Sequence, residues 1–217
     1  MQIDPDQASA LELYTWMVGL ITPRPIAWVS TQAADGRDNL APYSFFNGVG
    51  SKPPTVVFCP ANGRNGRPKD TLANIRDNGQ FVVNLVTEPL AGSMNQTSAE
   101  YDPGVDEFEQ VGLEKRPSVR VRPPRVAEAA GAFECELLQA IQLGTGPGGA
   151  NLVIGRIVWI HVDDRCVDDQ GRLRGHSPAT IGRIGGPAYV RTDDRFEMPR
   201  PPRPDTRDQP PSPRPTG

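Results

Sequence analysis

Short runs of apolar and aromatic residues recur along this chain, which is the pattern of β-strands. Among the runs rich in Val, Ile and aromatic residues are residues 24–31, 39–47, 55–59, 81–86, 133–143 and 152–162. Apolar residues recur at helical spacing at 7–20, 69–79 and 89–99. With at least seven short β-runs and no strand–helix–strand rhythm, the pattern predicts a mainly β protein, an antiparallel barrel with peripheral helices.

Residues 24–47 are expected to form a hairpin around which the barrel is built. Asp35-Gly36 lies between its two runs and is a strong turn signal. The second run mixes the rings of Tyr43, Phe45 and Phe46 with the polar side chains of Ser44 and Asn47. Rings beside hydroxyl and amide groups suit a flat ligand with polar edges. The alternative is an ordinary core hairpin whose aromatic residues only pack against their neighbours.

Two of the predicted helices have assigned roles. Residues 7–20 place Leu11, Tyr14 and Val18 at helical spacing and are expected to cover one end of the barrel. Residues 69–79 begin with Lys69-Asp70-Thr71 and stop at a glycine. Free N–H groups at such a helix start can grip a phosphate, with Arg64 or Arg67 as further cations, although ordinary capping by Asp70 or Thr71 remains the alternative.

Polar residues within the β-runs carry their own expectations. Asn84 interrupts an apolar strand and must find hydrogen-bond partners, because an unsatisfied buried amide costs about 1–3 kcal/mol. Along 133–143 the alternation places Glu134 and Glu136 outward and Cys135 inward. Residues 144–149, GTGPGG, match the dinucleotide fingerprint in letters, but a β-rich run follows where the fingerprint needs a helix, so a hairpin turn is predicted.

Composition narrows the class of protein. The chain has 217 residues and a net charge of −3, which gives no support to a nucleic-acid or anionic-membrane partner. Three widely spaced cysteines and two histidines indicate neither a disulfide framework nor a closed zinc site, and no metal is expected. With no apolar run of membrane-spanning length and an acidic N-terminal stretch, the expectation is a cytoplasmic protein. Residues 1–198 are expected to form a single domain, and 199–217 a disordered Pro/Arg-rich tail.

An ordered series of motifs resembles one known family. The series is PRPIAWVST, a DG turn, NLAPYSFFN, KDTLANI, FVVNLV, DEFE, PRVAEAAGAFECEL, VIGRIVWIHVDD and RIGGPAY, running from about Leu20 to Tyr189. It is similar to the flavin reductase-like proteins of the flavoredoxin type. The resemblance implies an FMN-binding split β-barrel, antiparallel and Greek-key-like, that forms a homodimer with FMN at the subunit interface. The 61–68 loop is longer and more basic than the family pattern, which leaves open the cation that meets the phosphate.

The resemblance also implies roles for residues. Around the FMN phosphate and ribityl chain it places Ser30, Thr31, Lys69, Asp70 and Thr71. Along the isoalloxazine, largely through backbone groups, it places Asn39, Tyr43, Ser44, Phe45, Phe46 and Asn47. Tyr189 would lie near the ring, from the same or the partner subunit. No catalytic side chain is assigned, because a flavin carries the redox chemistry itself.

Two functions remain open at this point. One is an FMN-dependent oxidoreductase with NADH or NADPH as reductant, either a flavin reductase or the reductase component of a monooxygenase, acting on small molecules. The other is a non-enzymatic FMN-binding electron-transfer protein. An oxidase of the pyridoxamine-phosphate type shares the fold but fewer of these motifs.

Overall fold

The computed structural model describes residues 1–175 and 178–202, so the predicted tail, apart from 199–202, lies outside the described residues. The α-helices of the described ranges, α1 to α4 in chain order, are Ala10–Leu20, Asp70–Asn78, Ala91–Gln96 and Glu107–Gln110. Short 3-10 turns add Glu88–Leu90 and Asp164–Cys166. None of the helices in these ranges has the length and apolar character needed to cross a membrane.

The β-strands of the same ranges are numbered β1 to β11 in chain order. Their bounds are Ala27–Gln32, Asp38–Tyr43, Phe46–Ser51, Pro54–Phe58, Gln80–Leu85, Lys115–Arg116, Arg125–Val126, Gly131–Gln142, Asn151–Val162, Ile181–Arg183 and Tyr189–Arg191. Seven of them form one sheet in the order β2-β1-β5-β8-β9-β4-β3, and its neighbouring strands pair antiparallel. The remaining strands form the small pairs β6-β7 and β10-β11.

The large sheet curls into a split barrel. Strands β2 and β3 form its opposite edges, yet only Ser44 and Phe45 separate them along the chain. The two edges must therefore lie close together, and Cys59 N–H donates to the Phe45 carbonyl at 2.9 Å beside this link. The sheet is not closed between β2 and β3, which confirms the predicted antiparallel split barrel. The expectation of one continuous strand over 39–47 is wrong, because the chain leaves one sheet edge and joins the other at Ser44-Phe45.

Strand β1 is buried on both of its faces, which explains why its consecutive residues Ala27, Trp28 and Val29 are all apolar. Ala27 and Val29 point into the barrel core with Phe58 and Phe81. Trp28 points the other way into a second core, and its indole Nε1 donates to Thr97 Oγ1 at 2.9 Å. The barrel thus has an inner core and an outer core, and the outer core includes residues of α3 and α4.

Helix α1 begins with a capping box in which Ser9 and Glu12 satisfy each other's backbone N–H groups, so it starts three residues later than expected. Val18 is its one buried residue. Leu11 and Leu20 are 75% and 76% exposed. The expectation that this helix covers a barrel end is therefore wrong for most of its length, since its apolar side lies open in the single chain.

Strands β8 and β9 form a long hairpin, and a strand rather than a helix follows residues 144–149, which confirms the hairpin turn.

The prediction that Glu134 faces outward to solvent is wrong. It lies opposite Cys135 as the alternation requires, but it is fully buried rather than facing solvent. The segment 119–121 covers it, with N–H groups of Val119 and Arg120 donating to its carboxylate at 2.7 and 2.6 Å and His161 Nε2 lying 2.5 Å away.

Asn84 has the partners that its burial demands. Its Nδ2 donates to the Trp28 carbonyl at 3.0 Å, and its Oδ1 accepts the Val126 N–H at 2.9 Å. The side chain therefore ties β5 to β1 and to β7 on the outer face of the barrel. This confirms the expectation that the amide is satisfied.

Candidate functional site

Helix α2 closes part of the barrel and presents its N-terminus to a polar cluster. Leu72 and Ile75 pack into the inner core, and Gly79 ends the helix in the left-handed conformation at φ 72°. Lys69 occupies the N-cap position in an extended conformation, and within the described chain no side chain caps this end. The first N–H groups of a helix have no intrahelical partners and attract anions. The alternative interpretation of this helix start, ordinary side-chain capping by Asp70 or Thr71, is therefore not met.

A buried phenol lies beside this helix start. Within residues 1–175 and 178–202, the Tyr43 hydroxyl is the buried side-chain polar atom without a hydrogen-bond partner. Burial raises the pKa of Tyr43 to about 12, while the nearby Thr71 hydroxyl opposes the rise without forming a well-aligned hydrogen bond. Asn39 Nδ2 donates to the same Thr71 oxygen at 3.2 Å. The structure thus brings together three predicted site residues, Asn39, Tyr43 and Thr71.

This cluster fits a phosphate-bearing cofactor. An unsatisfied buried hydroxyl costs about 1–3 kcal/mol, so Tyr43 favours a partner that supplies an oxygen acceptor. The uncapped amides of α2 favour an anion at the same place. Lys69 is exposed at the cap and can add its charge.

Carboxylates hold the segment 100–117 against the cluster. Asp70 Oδ2 accepts the Gly104 N–H at 2.9 Å, and Glu107 Oε2 accepts the Leu40 N–H at 2.8 Å. Burial raises the pKa of Glu107 to about 7, and the Leu40 amide opposes that rise. Lys115 bridges this segment to β2 through Asp38 Oδ2 at 2.8 Å. A cavity of about 150 Å³ lies between α2 and the segment, next to Asn39 and Asp70.

The neighbouring hydroxyls of Ser30 and Thr31 lie on opposite faces of β1. Both residues are fully buried. Thr31 faces α2, where its Oγ1 accepts from Asn74 Nδ2 at 3.0 Å. Ser30 faces the outer core, and its Oγ donates to the Pro124 carbonyl at 2.5 Å. The structure therefore places Thr31 beside the α2 cluster and Ser30 away from it.

The link between β2 and β3 forms the second part of the candidate site. Ser44 Oγ lies 3.4 Å from the Arg24 Nε donor, and the Phe45 ring meets Tyr14 edge-on at a centroid distance of 6.4 Å. Phe46 packs against the inner core, whereas Asn47 is exposed. The strand continues as Gly-Val-Gly, and a side-chain carbon added at Gly48 would meet no atom within 4 Å. An open backbone edge beside aromatic rings is thus available to a flat ligand.

Tyr189 lies at the C-terminal hairpin β10-β11. Its hydroxyl donates to Asn95 Oδ1 at 3.4 Å, and the Arg183 guanidinium carbon lies 4.5 Å from its ring centroid. A cavity of about 790 Å³ lies beside this hairpin rather than beside α2. Its rim arginines Arg165 and Arg191 are paired with acidic residues.

Arg24 and Glu107 are site residues that the sequence did not single out. Arginine and glutamate are normally exposed, so residue type gives no hint that both are buried here. The one sequence signal for a role in the site is that Arg24 lies in PRPIAWVST and Glu107 in DEFE, two of the motifs that resemble the family.

The fold and this site define a split-barrel protein with an uncapped helix start at the barrel end. The chain matches the family described as flavin reductase like domain over residues 19–177, and it belongs to that family. Nitrilotriacetate monooxygenase component B from Bacillus cereus is similar with a TM-score of 0.85 and 32% identity, over 91% of this chain and 98% of that one. The 2-nitrobenzoate 2-nitroreductase NbaA from Pseudomonas fluorescens has a TM-score of 0.83 and 34% identity, over 93% and 96% of the two chains. An uncharacterized protein of Aquifex aeolicus is 38% identical over 179 residues, 82% of this chain and 89% of that protein.

Family membership implies an oxidoreductase that works with a flavin. A flavin accepts and donates electrons itself, and the protein contributes binding, orientation and electrostatics.

Proposed function

We propose that this chain is an FMN-dependent oxidoreductase of the NAD(P)H:flavin reductase type, acting as a flavin reductase or as the reductase component of a monooxygenase. The observation that carries the proposal is the uncapped start of α2 beside the unsatisfied Tyr43 hydroxyl. A phosphorylated flavin would supply partners for both groups. Its phosphate would accept hydrogen bonds from the helix amides, and the oxygens of its ribityl chain would accept one from the Tyr43 hydroxyl.

The phosphate would be held by the N–H groups of Asp70 and Thr71, with the Lys69 ammonium adding charge. The Asp70 carboxylate would repel an anion, but its Oδ2 accepts a hydrogen bond from the Gly104 N–H, which holds the carboxylate to one side. Thr31 would act through Asn74, which connects β1 to α2. Ser30 would support the site only indirectly, since its hydroxyl is engaged with Pro124.

The ring would lie along the Ser44–Asn47 link, where backbone groups of the sheet edge and the Phe45 ring are available. Asn39 and Tyr43 would approach it from β2, and Tyr189 from the C-terminal hairpin of the same or the partner subunit. When bound, FMN takes two electrons from a dihydronicotinamide and passes them to an acceptor. The chain's own residues hold the ring, keep water from one face and fix the charges around it.

A homodimer completes the proposal. Helix α1 exposes Leu11, Tyr14, Met17 and Leu20. A group of apolar residues of this size on one chain marks an interaction surface. Because Tyr14 already contacts Phe45, a second copy on this surface would lie next to the proposed ring site.

Two relatives suggest what receives the electrons. The similarity to a monooxygenase component at 32% identity favours reduced flavin delivered to an oxygenase. The similarity to a 2-nitrobenzoate nitroreductase at 34% identity favours a nitroaromatic acid as a second candidate acceptor.

The test is an anaerobic titration of the FMN-loaded protein with NADH and with NADPH, followed by absorbance of the bound flavin. We expect rapid bleaching by one of the two nucleotides, and then reoxidation by free FMN or by 2-nitrobenzoate. Bound flavin that dithionite bleaches but neither nucleotide does would favour the electron-transfer protein instead. Protein that retains no FMN at all would overturn the cofactor assignment.

A further inference from the structure

Arg24 is a buried arginine whose partners are neutral groups. The residue is only 4% exposed. Its Nη1 donates to the carbonyls of Val18 and Ile21 at 2.7 and 2.6 Å, and its Nη2 to the Ile184 carbonyl at 3.4 Å. Its Nε donates to Ser44 Oγ at 3.4 Å. The guanidinium therefore joins the end of α1, the segment before β11 and the link between β2 and β3.

The positive charge of this group is only partly compensated. Among the ion pairs of the described ranges none involves Arg24, although buried charges are normally paired. Burial lowers the pKa of Arg24, and the positive charge of Arg183 acts in the same direction. Val18 and Ile21 lie at the C-terminal end of α1, where the helix dipole amounts to about half a negative charge. A guanidinium stays protonated in proteins, so a net positive potential remains.

The positive electrostatic potential of Arg24 acts at the proposed site of the flavin ring. Besides its contact with Ser44, the Arg24 guanidinium carbon lies 5.7 Å from the centroid of the Phe45 ring. Both residues belong to the link along which the flavin ring is proposed to lie. A fixed charge in a site with little water acts more strongly than it would in solution.

We propose that Arg24 is a positioning residue that fixes a positive charge at the ring site and thereby stabilises the flavin in its reduced, anionic form. The inference rests on the proposed function. Two electrons and one proton reach the ring from a dihydronicotinamide, which leaves as the oxidised nicotinamide cation. The ring then carries one negative charge, and Arg24 stabilises that charge through the Ser44-Phe45 link without itself losing or gaining a proton.

A simple clamp is the competing role, because Arg24 also ties α1 to its neighbours. A clamp would affect folding and the binding of either redox form alike. Charge stabilisation would favour the reduced form alone. The ratio of the two affinities therefore separates the roles, and it does not depend on nicotinamide turnover.

The experiment measures the Kd of FMN in the oxidised and in the dithionite-reduced state, anaerobically, for wild type, Arg24→Gln, Arg24→Lys and Arg156→Gln. Arg156 is the control, since its exposed ion pair with Glu136 lies on the β8-β9 hairpin. We expect Arg24→Gln to lower the preference for reduced FMN at least tenfold, which equals about 30 mV for a two-electron couple. Arg24→Lys should retain most of that preference, and Arg156→Gln all of it.

The outcomes are distinct. Equal weakening of both redox forms in Arg24→Gln would overturn the inference and leave the proposed function standing. Wild type that binds neither form would overturn both. If Arg24→Gln does not fold, the protonation of reduced flavin bound to wild type is followed by absorbance against pH. Its pKa should then lie below that of free reduced FMN in the same buffer, and an equal or higher pKa would overturn the inference.

Discussion

Among single residues, Glu107 shows how the surroundings of a side chain set its chemistry. It lies on α4, and its carboxylate is buried against the sheet edge, where it accepts the Leu40 N–H. Burial raises its pKa from 4.5 to about 7, and the neighbouring carboxylates Asp70 and Asp106 act in the same direction. Loss of its proton near neutral pH therefore places a charge in an unfavourable environment.

The substitution Glu107→Gln should remove this penalty. Between pH 4.5 and 7 the unfolded chain loses the Glu107 proton while the folded chain keeps it, so wild-type stability falls as pH rises through that window and then levels off. Glutamine stays neutral and can still accept the Leu40 N–H. Relative to wild type, the variant should gain about 3 kcal/mol of unfolding free energy as the pH rises from 4.5 to 8. Urea unfolding at several pH values measures the difference.

The matched control is Glu109→Gln, because Glu109 lies exposed on the same short helix. Its unfolding free energy should follow that of wild type at every pH. If Glu107→Gln also follows wild type across the window, the raised pKa of Glu107 is refuted.

For single residues, the sequence predicted which side chains need hydrogen-bond partners better than it predicted which side chains are buried. Asn84 was expected to need partners because an amide stands out in an apolar run, and it has them. Glu134 was expected on the outward side, and only the covering segment 119–121, distant in sequence, explains its burial. The unsatisfied Tyr43 hydroxyl could not be predicted either, because it depends on how β2 and α2 approach each other.

At the scale of elements, α2 connects the barrel core to the proposed phosphate site. Its apolar residues lie in the inner core, and its N-terminus faces the cluster around Thr71. The sequence predicted this helix almost to the residue, since a polar start, an apolar pair and a terminal glycine are local signals.

Replacing Lys69 with Ala should weaken FMN binding by about tenfold, which corresponds to about 1.4 kcal/mol, through loss of one charged phosphate contact. Fluorescence titration with FMN measures the effect. Binding of riboflavin, which has no phosphate, should not change. Lys52→Ala is the control, because Lys52 is also exposed but lies in the turn between β3 and β4. Unchanged FMN affinity in Lys69→Ala would remove this lysine from the phosphate site.

The break between β2 and β3 was beyond the reach of local signals. The rings of Tyr43, Phe45 and Phe46 lie on both sides of the break, and Ser44-Phe45 has no glycine or proline to mark a boundary, whereas Pro42 lies within β2. The break follows from the way the sheet curls into a split barrel, because the consecutive strands β2 and β3 lie at its opposite edges. The part of the site that depends on this link, including the Arg24 contact with Ser44, therefore needed the structure.

At the scale of the whole molecule, the packing of the single chain does not explain why the apolar residues of α1 are exposed. Its apolar spacing led to the expectation of a helix buried on its own barrel, yet Val18 alone is buried. Periodicity shows that a helix has an apolar face but not which chain covers that face. The proposed homodimer supplies a partner for it.

The double substitution Leu11→Glu with Leu20→Glu should convert the proposed homodimer to monomer, because two charges cannot be buried unpaired at an apolar interface. Light scattering after size-exclusion chromatography gives the mass directly. Leu143→Glu is the control, an equally simple change at a leucine that is 63% exposed on the β8-β9 hairpin. A dimer that survives the double substitution and dissociates in Leu143→Glu would place the interface elsewhere.

The central claim is that this split barrel holds FMN by its phosphate at the start of α2. The most direct test compares the affinity of the wild-type protein for FMN and for riboflavin by fluorescence titration in the same buffer. We expect FMN to bind at least a hundredfold more tightly, about 2.7 kcal/mol, since only FMN carries the anion that the uncapped amides and Lys69 attract. Equal affinities for the two flavins would contradict the phosphate site, and an absence of binding by both would contradict the flavin assignment as a whole.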